Sequence, residues 1–338
     1  MNLLEKIHIW LGIILGLVFI AISSSGAILL YKNQITNYLL NLEKNHNELK
    51  ISEVLKEIDF NKQPRVIQVP TKDTPYYKIS YFDKSTPSYF DTSLNRIDSS
   101  SFSWHTFLHN LHVALFLNEK VTGVLGIIFV FFIWIGWILF YKKRKRKLKK
   151  LSNSRNKMLW IHRKTTIFLT PILFISVITG IIIIYYAPVK GFLKTVLNQS
   201  EKAINIEKID CSLSWHEYDF KKQIESISKS LQDAELIRIY LPKNSNEALK
   251  YRLKVPQEWH QNGRSYIYFN PCSNEIIYKK DARDAISSTT IMDRMYPIHT
   301  AYVGTVWYKL FVFISALAPI LLFISGLILL KSRKKKKN

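Results

Sequence analysis

The chain has 338 residues, of which 48% are hydrophobic, and a formal net charge of +23 at pH 7. That length suits about two domains, but the apolar residues concentrate in four blocks near 9–31, 121–141, 165–187 and 309–330. Each block is long enough to cross a bilayer as a helix. The composition therefore excludes an ordinary soluble protein and predicts a multi-pass membrane protein with the lipid bilayer as a partner.

The positive charge lies beside these apolar blocks. Residues 142–157 hold ten Lys or Arg and no acid, and residues 331–337 hold six and no acid. Because basic loops stay on the cytoplasmic side, we expect both termini in the cytoplasm of a bacterial cell and the polar segments outside its inner membrane. The basic runs lack a folded nucleic-acid reader, so nucleic acid is not an expected partner.

The first apolar block has two possible roles. A small-residue patch at 21–27 would fit the cleavage site of a signal peptide. However, the apolar stretch is longer than a signal core, and cleavage would remove His8 from a repeat. The repeat consists of histidine-to-glycine spacings of 18, 18, 27 and 27 residues, at His8–Gly26, His162–Gly180, His109–Gly136 and His299–Gly326. An uncleaved anchor is therefore favoured.

Between the helices, the polar segments each predict an amphipathic helix followed by strands. The predicted helices cover 51–58 and 221–234. The predicted strands cover 66–69, 76–82, 88–98, 236–241, 250–255, 265–270 and 275–280. Cys211 and Cys272 both lie in the second polar segment, where an oxidising compartment would allow a disulfide and two buried free thiols are the alternative.

The predicted fold class is a helical membrane protein, with four transmembrane helices in two parallel repeats and two extracytoplasmic α+β lobes. The boundaries in chain order are transmembrane helix one 1–31, first lobe 32–104, an interfacial segment with helix two 105–141, a basic cytoplasmic loop 142–158, helix three 159–187, second lobe 188–295, helix four 296–330 and a basic cytoplasmic tail 331–338.

Histidines mark the start of each predicted helix. A parallel repeat would bring His8 to His162 near one membrane face, and His109 or His112 to His299 near the other. His105 shares a helical face with His109 and remains a further candidate. Two imidazoles fill both axial positions of a haem iron, so this pattern predicts two haem b groups that transfer electrons.

Other interpretations of the histidines remain open. A histidine at a helix end can be an ordinary interfacial residue, and zinc or copper are competing metals. The histidines outside the repeat are expected at the surface of the polar lobes; they are His46, His216 and His260.

The apolar segments KIHIWLGIILGLVFIAISSSGAILL, LHNLHVALFL, WIHRKTTIFLTPILFISVITGIII and YPIHTAYVGTVWYKL resemble the PepSY-associated transmembrane family. The turns YFDTSLNRID and YFNPCSNEII resemble PepSY domains. Members of this family include bacterial inner-membrane ferric-siderophore reductases with two haems. The resemblance implies a membrane-bound oxidoreductase that reduces a ferric siderophore outside the cytoplasm, with a quinol or a cytoplasmic reductase as a separate electron donor.

This resemblance also assigns residues. It carries His8, His162 and His299 over as haem ligands. Its Leu-His pattern before helix two fits His112, whereas the repeat spacing fits His109, and the sequence leaves that choice open. Two other functions stay under consideration: a non-catalytic PepSY membrane protein that binds a protein or peptide, and a metal transporter that uses the histidines.

Overall fold

A computed structural model of the chain describes residues 2–42, 49–59, 61–143, 154–200, 206 and 208–334. In those residues the helices are α1 (Leu3–Leu29), α2 (Lys32–Leu39), α3 (Ile51–Lys56), α4 (Ser103–Ala114), α5 (Glu119–Lys143), α6 (Ser154–Phe168), α7 (Thr170–Ile184), α8 (Tyr186–Val196), α9 (Phe220–Ser230), α10 (Ser287–His299), α11 (Val306–Ala316) and α12 (Ala318–Lys334). The strands are β1 (Pro64–Gln68), β2 (Tyr76–Tyr81), β3 (Ser88–Asp91), β4 (Arg96–Ile97), β5 (Glu235–Tyr240), β6 (Leu249–Lys254), β7 (Ser265–Phe269) and β8 (Ile276–Lys280).

The chain divides into two compact units. The first, which we call the helical unit, comprises Met1–Tyr31, His105–Val189 and Met295–Asn338. The second, which we call the sheet unit, comprises Lys32–Trp104 and Lys190–Arg294.

The helical unit contains the helices that are apolar and long enough to cross a membrane. Among the described residues these are α1, α5 and the segment Val306–Ser332, and the pair α6 and α7 makes a fourth span if its 50° bend is counted within one crossing. Pro171 lies in the first turn of α7, where it cannot donate a helical hydrogen bond, and this accounts for the break. The prediction of a membrane protein with several apolar helices is confirmed, while helix three is bent rather than continuous.

Local chemistry sets the ends of these helices. The Asn2 side chain accepts the Glu5 backbone N–H at 3.0 Å and so caps α1. Glu5 also forms an ion pair with Lys143 at the end of α5. Leu115 and Phe116 adopt positive φ values of 48° and 59° between α4 and α5. The segment before the second span is therefore a separate helix and not the first turns of a longer one.

The sheet unit holds one antiparallel sheet of eight strands in the order β4-β3-β2-β1-β5-β6-β7-β8. Each half of the sheet is a four-strand meander, and the two meanders join where β1 pairs with β5, with Ile67 opposite Ile239. The sequence predicted two lobes; the structure instead shows the two polar segments sharing a single sheet. The predicted strands are found within one or two residues of their expected positions, except that 88–98 divides into β3 and β4.

One face of this sheet forms the main apolar core. Ile67, Ile79, Ile239 and Ile267 have no exposed surface, because alternate residues of a strand point to the same face. Helices α3 and α9 cover them, and Val54 of α3 is also fully buried. Burial of apolar surface is the main stabilising contribution at this face.

The two cysteines of the sheet unit are bonded to each other. Cys211 and Cys272 form a disulfide with their Cα atoms 5.6 Å apart. This bond closes a loop across 61 residues of sequence, so it restricts the unfolded chain over much of the second meander.

Candidate functional site: two histidine pairs

The first histidine pair lies between α1 and α6. The imidazole centroids of His8 and His162 are 6.4 Å apart and their planes are nearly perpendicular, at 86°. His8 also stacks on Phe132 of α5, with centroids 4.6 Å apart and planes inclined by 16°. The two residues that the sequence repeat associated are therefore neighbours in the helical unit.

The second pair joins α4 to the end of α10. The imidazole centroids of His112 and His299 are 5.8 Å apart. The sequence left His105, His109 and His112 open as the residue opposite His299, and in the structure His112 is the one in ring contact with it. The residue in contact with His299 is therefore the one that the Leu-His pattern indicates, and not His109, which the repeat spacing favours.

We call the described residues up to Lys143 the first half of the chain and those from Ser154 onward the second half. Each of the four imidazoles packs against a glycine on another helix of its own half. A Cβ atom added at Gly26 would lie 2.6 Å from Cε1 of His112, and one at Gly180 would lie 3.0 Å from Cε1 of His299. A Cβ atom added at Gly136 would lie 3.4 Å from Cε1 of His8, and one at Gly326 would lie 3.8 Å from Cε1 of His162. Glycine therefore gives the ring edge access to the helix backbone, most tightly at Gly26.

This close approach lets the helix backbone orient the rings. Nδ1 of His112 lies 2.8 Å from the Ile22 carbonyl oxygen, and Nδ1 of His299 lies 2.9 Å from that of Ser176. Each carbonyl belongs to the residue four positions before the contacting glycine. Because a carbonyl oxygen can only accept, Nδ1 carries the proton in both rings, and Nε2 is left with a free lone pair.

The first pair is oriented differently. Nδ1 of His162 lies 2.9 Å from the Ser325 hydroxyl, which itself donates to the Leu321 carbonyl, so the hydroxyl accepts from His162. Nδ1 of His8 is buried and has no hydrogen-bond partner among the described residues. Three of the four rings therefore have a fixed tautomer, with Nε2 as the nitrogen able to bind a metal.

The two pairs lie toward opposite ends of the first span. Along α1, His8 and Gly26 are 18 residues apart, which corresponds to about 27 Å at the helical rise. A hydrocarbon core is about 30 Å thick. Between these ends Phe19 stacks on Phe129, with centroids 4.0 Å apart, within an apolar cluster that includes Ile133 and Leu173.

The remaining histidines stand apart from these pairs. His216 is exposed, as the sequence predicted. The prediction for His260 is wrong, because its side chain is only 4% exposed and Nδ1 accepts the Asn262 N–H at 3.2 Å. Burial and then the nearby charge of Arg264 lower the pKa of His260 to about 3. His46 lies outside the described residues.

Within the described part of the chain, no group of three or more His, Cys, Asp or Glu side chains has the arrangement of a metal site. The candidate site therefore consists of two separate imidazole pairs. The sequence identified their members except for the choice at α4, but it did not reveal that each histidine contacts a glycine of a neighbouring helix.

The fold and these pairs define a helical membrane protein with an antiparallel sheet unit and paired histidines in its apolar part. The chain belongs to the family described as the PepSY-associated TM region, whose model matches residues 6–333. No curated protein matches the chain.

Proposed function

We propose that this protein is a di-haem electron-transfer protein of the bacterial inner membrane that reduces ferric siderophores outside the cytoplasm. The observation that carries the proposal is the pairing of imidazoles at two places, with Nδ1 hydrogen-bonded and Nε2 free in three of the four rings. His8 with His162, and His112 with His299, would each hold one haem b. Haem iron with two imidazole ligands transfers single electrons and has no open position for oxygen.

The dimensions of the pairs are consistent with this assignment. A haem iron held by both imidazoles of a pair would need the two rings close to each other. The observed separations are 6.4 and 5.8 Å. Hydrogen bonds from Nδ1 to backbone carbonyls also raise the basicity of a ligating imidazole and fix its orientation.

The charge distribution supports a direction for the electrons. The basic runs at 142–157 and 331–337 favour a cytoplasmic location for the end of the bundle that contains His8 and His162. A separate quinol or cytoplasmic reductase would donate one electron there. A ferric chelate would accept one electron near His112 and His299 and become ferrous. The resemblance to ferric-siderophore reductases supports that choice of acceptor.

An optical spectrum of the purified full-length protein tests the proposal. We expect a sharp absorption band to develop on reduction with dithionite, and about two haems per chain. His8→Ala and His112→Ala should each remove about half of the haem. His109→Ala is the matched control, because it lies one helical turn from His112 on the same helix, and it should keep all of it.

Other outcomes would favour the other functions. A colourless protein that retains its fold would contradict the proposal and leave a non-catalytic membrane protein that binds a protein or peptide. Binding of zinc or copper without haem, lost in His8→Ala, would favour a metal transporter. Loss of half the haem in His109→Ala but not in His112→Ala would show that the wrong residue has been assigned.

A further inference from the structure

The face of the sheet opposite the apolar core is rich in cations and tyrosines. Alternation along β6 and β7 turns Tyr251 and Ile267 toward the core and turns their neighbours to the other side. We call this second surface the basic tyrosine face, and define it by Lys78, Arg238, Lys250, Arg252, Tyr266 and Tyr268. These side chains are partly or largely buried, and neither the core nor the histidine pairs use them.

Strand register places like charges next to each other on this face. Arg238 of β5 lies directly opposite Arg252 of β6. Across β1, Gln68 separates Arg238 from Lys78. Like charges at opposed positions of an antiparallel pair destabilise a sheet. The Gly263 carbonyl accepts from Nε and Nη2 of Arg252 at 3.0 and 2.8 Å, but a neutral carbonyl does not cancel the charge, so a bound anion would stabilise this arrangement.

The charges that surround the lysines are also mainly positive. Burial, followed by the charges of Arg238 and Lys32, lowers the pKa of Lys78. Burial and then the charge of Arg238 lower the pKa of Lys32, which lies at the start of α2. No carboxylate contributes to either shift among the described residues.

Two acidic side chains among the described residues, Asp293 and Glu258, approach the Arg252 end of the face. Asp293 is near Arg252 but forms its ion pair with Arg264, with 3.2 Å between Oδ1 and Nε. Glu258 is also near Arg252, and burial raises the pKa of its carboxyl to about 7. The positive charge at Lys78 and Arg238 is therefore not neutralised by these two acids.

Aromatic rings accompany the cations. The Lys250 ammonium lies 4.1 Å from the centroid of Tyr266 and 5.3 Å from that of Tyr268. The Arg252 guanidinium lies 5.8 Å from the centroid of Tyr266. A ligand that is both anionic and aromatic would gain ion pairing with the cations, and stacking or cation–π contacts as well.

We propose that the basic tyrosine face binds an anionic iron chelate whose donor groups are catecholates. This inference rests on the proposed function, which defines the ligand as a ferric chelate, and it adds the chemical class. Three dianionic catecholates outweigh the charge of a trivalent metal, so the complex is negative and presents aromatic rings. Three hydroxamates only balance that charge, so their complex is neutral and gains little from these cations.

Gallium(III) complexes test this choice, because gallium(III) matches the charge of ferric iron but does not accept an electron under these conditions. Binding of a gallium tris-catecholate and of a gallium trihydroxamate to the full-length protein in detergent is measured by calorimetry. We expect the catecholate complex to bind about 10-fold more tightly or better, and its advantage to shrink as salt screens the charges.

Charge variants locate the binding. The double variant Lys78→Gln and Arg238→Gln should weaken catecholate binding about 10-fold or more. The double variant Lys221→Gln and Lys222→Gln removes the same charge from exposed positions on α9, which covers the core face, and should bind normally. Haem content and melting temperature of both variants verify that they remain folded.

The results separate this inference from the proposed function. Equal affinity for the two gallium complexes, no binding of either, or normal catecholate binding by the Lys78 and Arg238 variant would each overturn the inference, whatever the haem content. Tight catecholate binding by a protein without haem would support the inference as a binding site and contradict electron transfer. Binding of anionic phospholipid vesicles to this face, with no competition by the catecholate complex, would identify a lipid site instead.

Discussion

Replacing Gly26 by alanine gives the sharpest test of how the second histidine pair is built. The new Cβ would lie 2.6 Å from Cε1 and 2.9 Å from Nδ1 of His112, whereas ordinary contact begins at 3.4 Å. The ring or the helix must therefore move by about 0.8 Å. A shift of that size directed away from the Ile22 carbonyl would lengthen its 2.8 Å hydrogen bond with Nδ1 of His112 beyond the normal range.

The magnitude follows from two opposing contributions. Loss of a buried hydrogen bond costs about 1–3 kcal/mol, and crowding adds to that. Alanine in place of glycine favours a helix by about 1 kcal/mol. The sum is unfavourable at Gly26, where the contact is shortest.

Haem content per chain, measured from the reduced spectrum of purified protein, is the assay. We expect Gly26→Ala to keep about half of the haem and Gly180→Ala to lose less, because its Cβ would lie 3.0 Å from His299. Gly326→Ala, at 3.8 Å from His162, and Gly191→Ala, with nothing within 4 Å, should retain all of it. Full haem with an unchanged spectrum in Gly26→Ala, or equal losses at Gly191, would refute the reasoning.

Three further predictions concern the sheet unit. Replacing both Cys211 and Cys272 by serine opens a 61-residue loop and should lower the free energy of unfolding by roughly 4 kcal/mol; equal urea midpoints for variant and parent would contradict this. Burial raises the pKa of Glu258 from 4.5 to about 7, so its neutral form is favoured in the fold, and the resulting stability is present below pH 4.5 and lost as pH rises through 7. Glu258→Gln should therefore be more stable than the parent by less than about 1 kcal/mol at pH 5 and by up to about 3 kcal/mol at pH 8, and a gain of the same size at both pH values would argue against this titration. Gly263→Ala should destabilise the sheet unit by about 3 kcal/mol or more, because Gly263 has a φ of +66° and its Cβ would lie 1.9 Å from the Leu253 carbonyl oxygen; a melting temperature equal to that of the parent would contradict it.

Local patterns predicted most of the sheet. The alternation in residues 76–82 and 265–270 defines β2 and β7 to within a residue or so, because alternate side chains must face the same core. The joining of two meanders was not predictable in this way. Pairing of β1 with β5 brings Ile67 opposite Ile239, and residues so far apart in sequence leave no local signal of their contact.

The same distinction applies to the candidate site. The equal histidine-to-glycine spacings predict that His8 and His162 are neighbours, because both residues begin apolar segments of similar layout. The repeat spacing favoured His109, whereas His112 is the residue in ring contact with His299. The choice depends on which of them contacts Gly26 on α1, and that is a property of helix packing. His260 was assigned to the surface because its neighbours are polar, yet its side chain is buried.

The structure also shows which contacts each half of the chain makes alone and which need both halves. Each of the four paired histidines contacts a glycine within its own half, as His112 contacts Gly26 and His299 contacts Gly180. The imidazole partner of each of these histidines belongs to the other half, as His299 does for His112. Strand β1 likewise pairs with β5, which belongs to the other meander. One half by itself would orient its rings through the helix backbone but would have a single imidazole at each end and an unpaired strand edge, which invites association with another chain. The two halves in one chain pair β1 with β5 and bring together the members of both imidazole pairs, so the contacts that join the halves also build the candidate site.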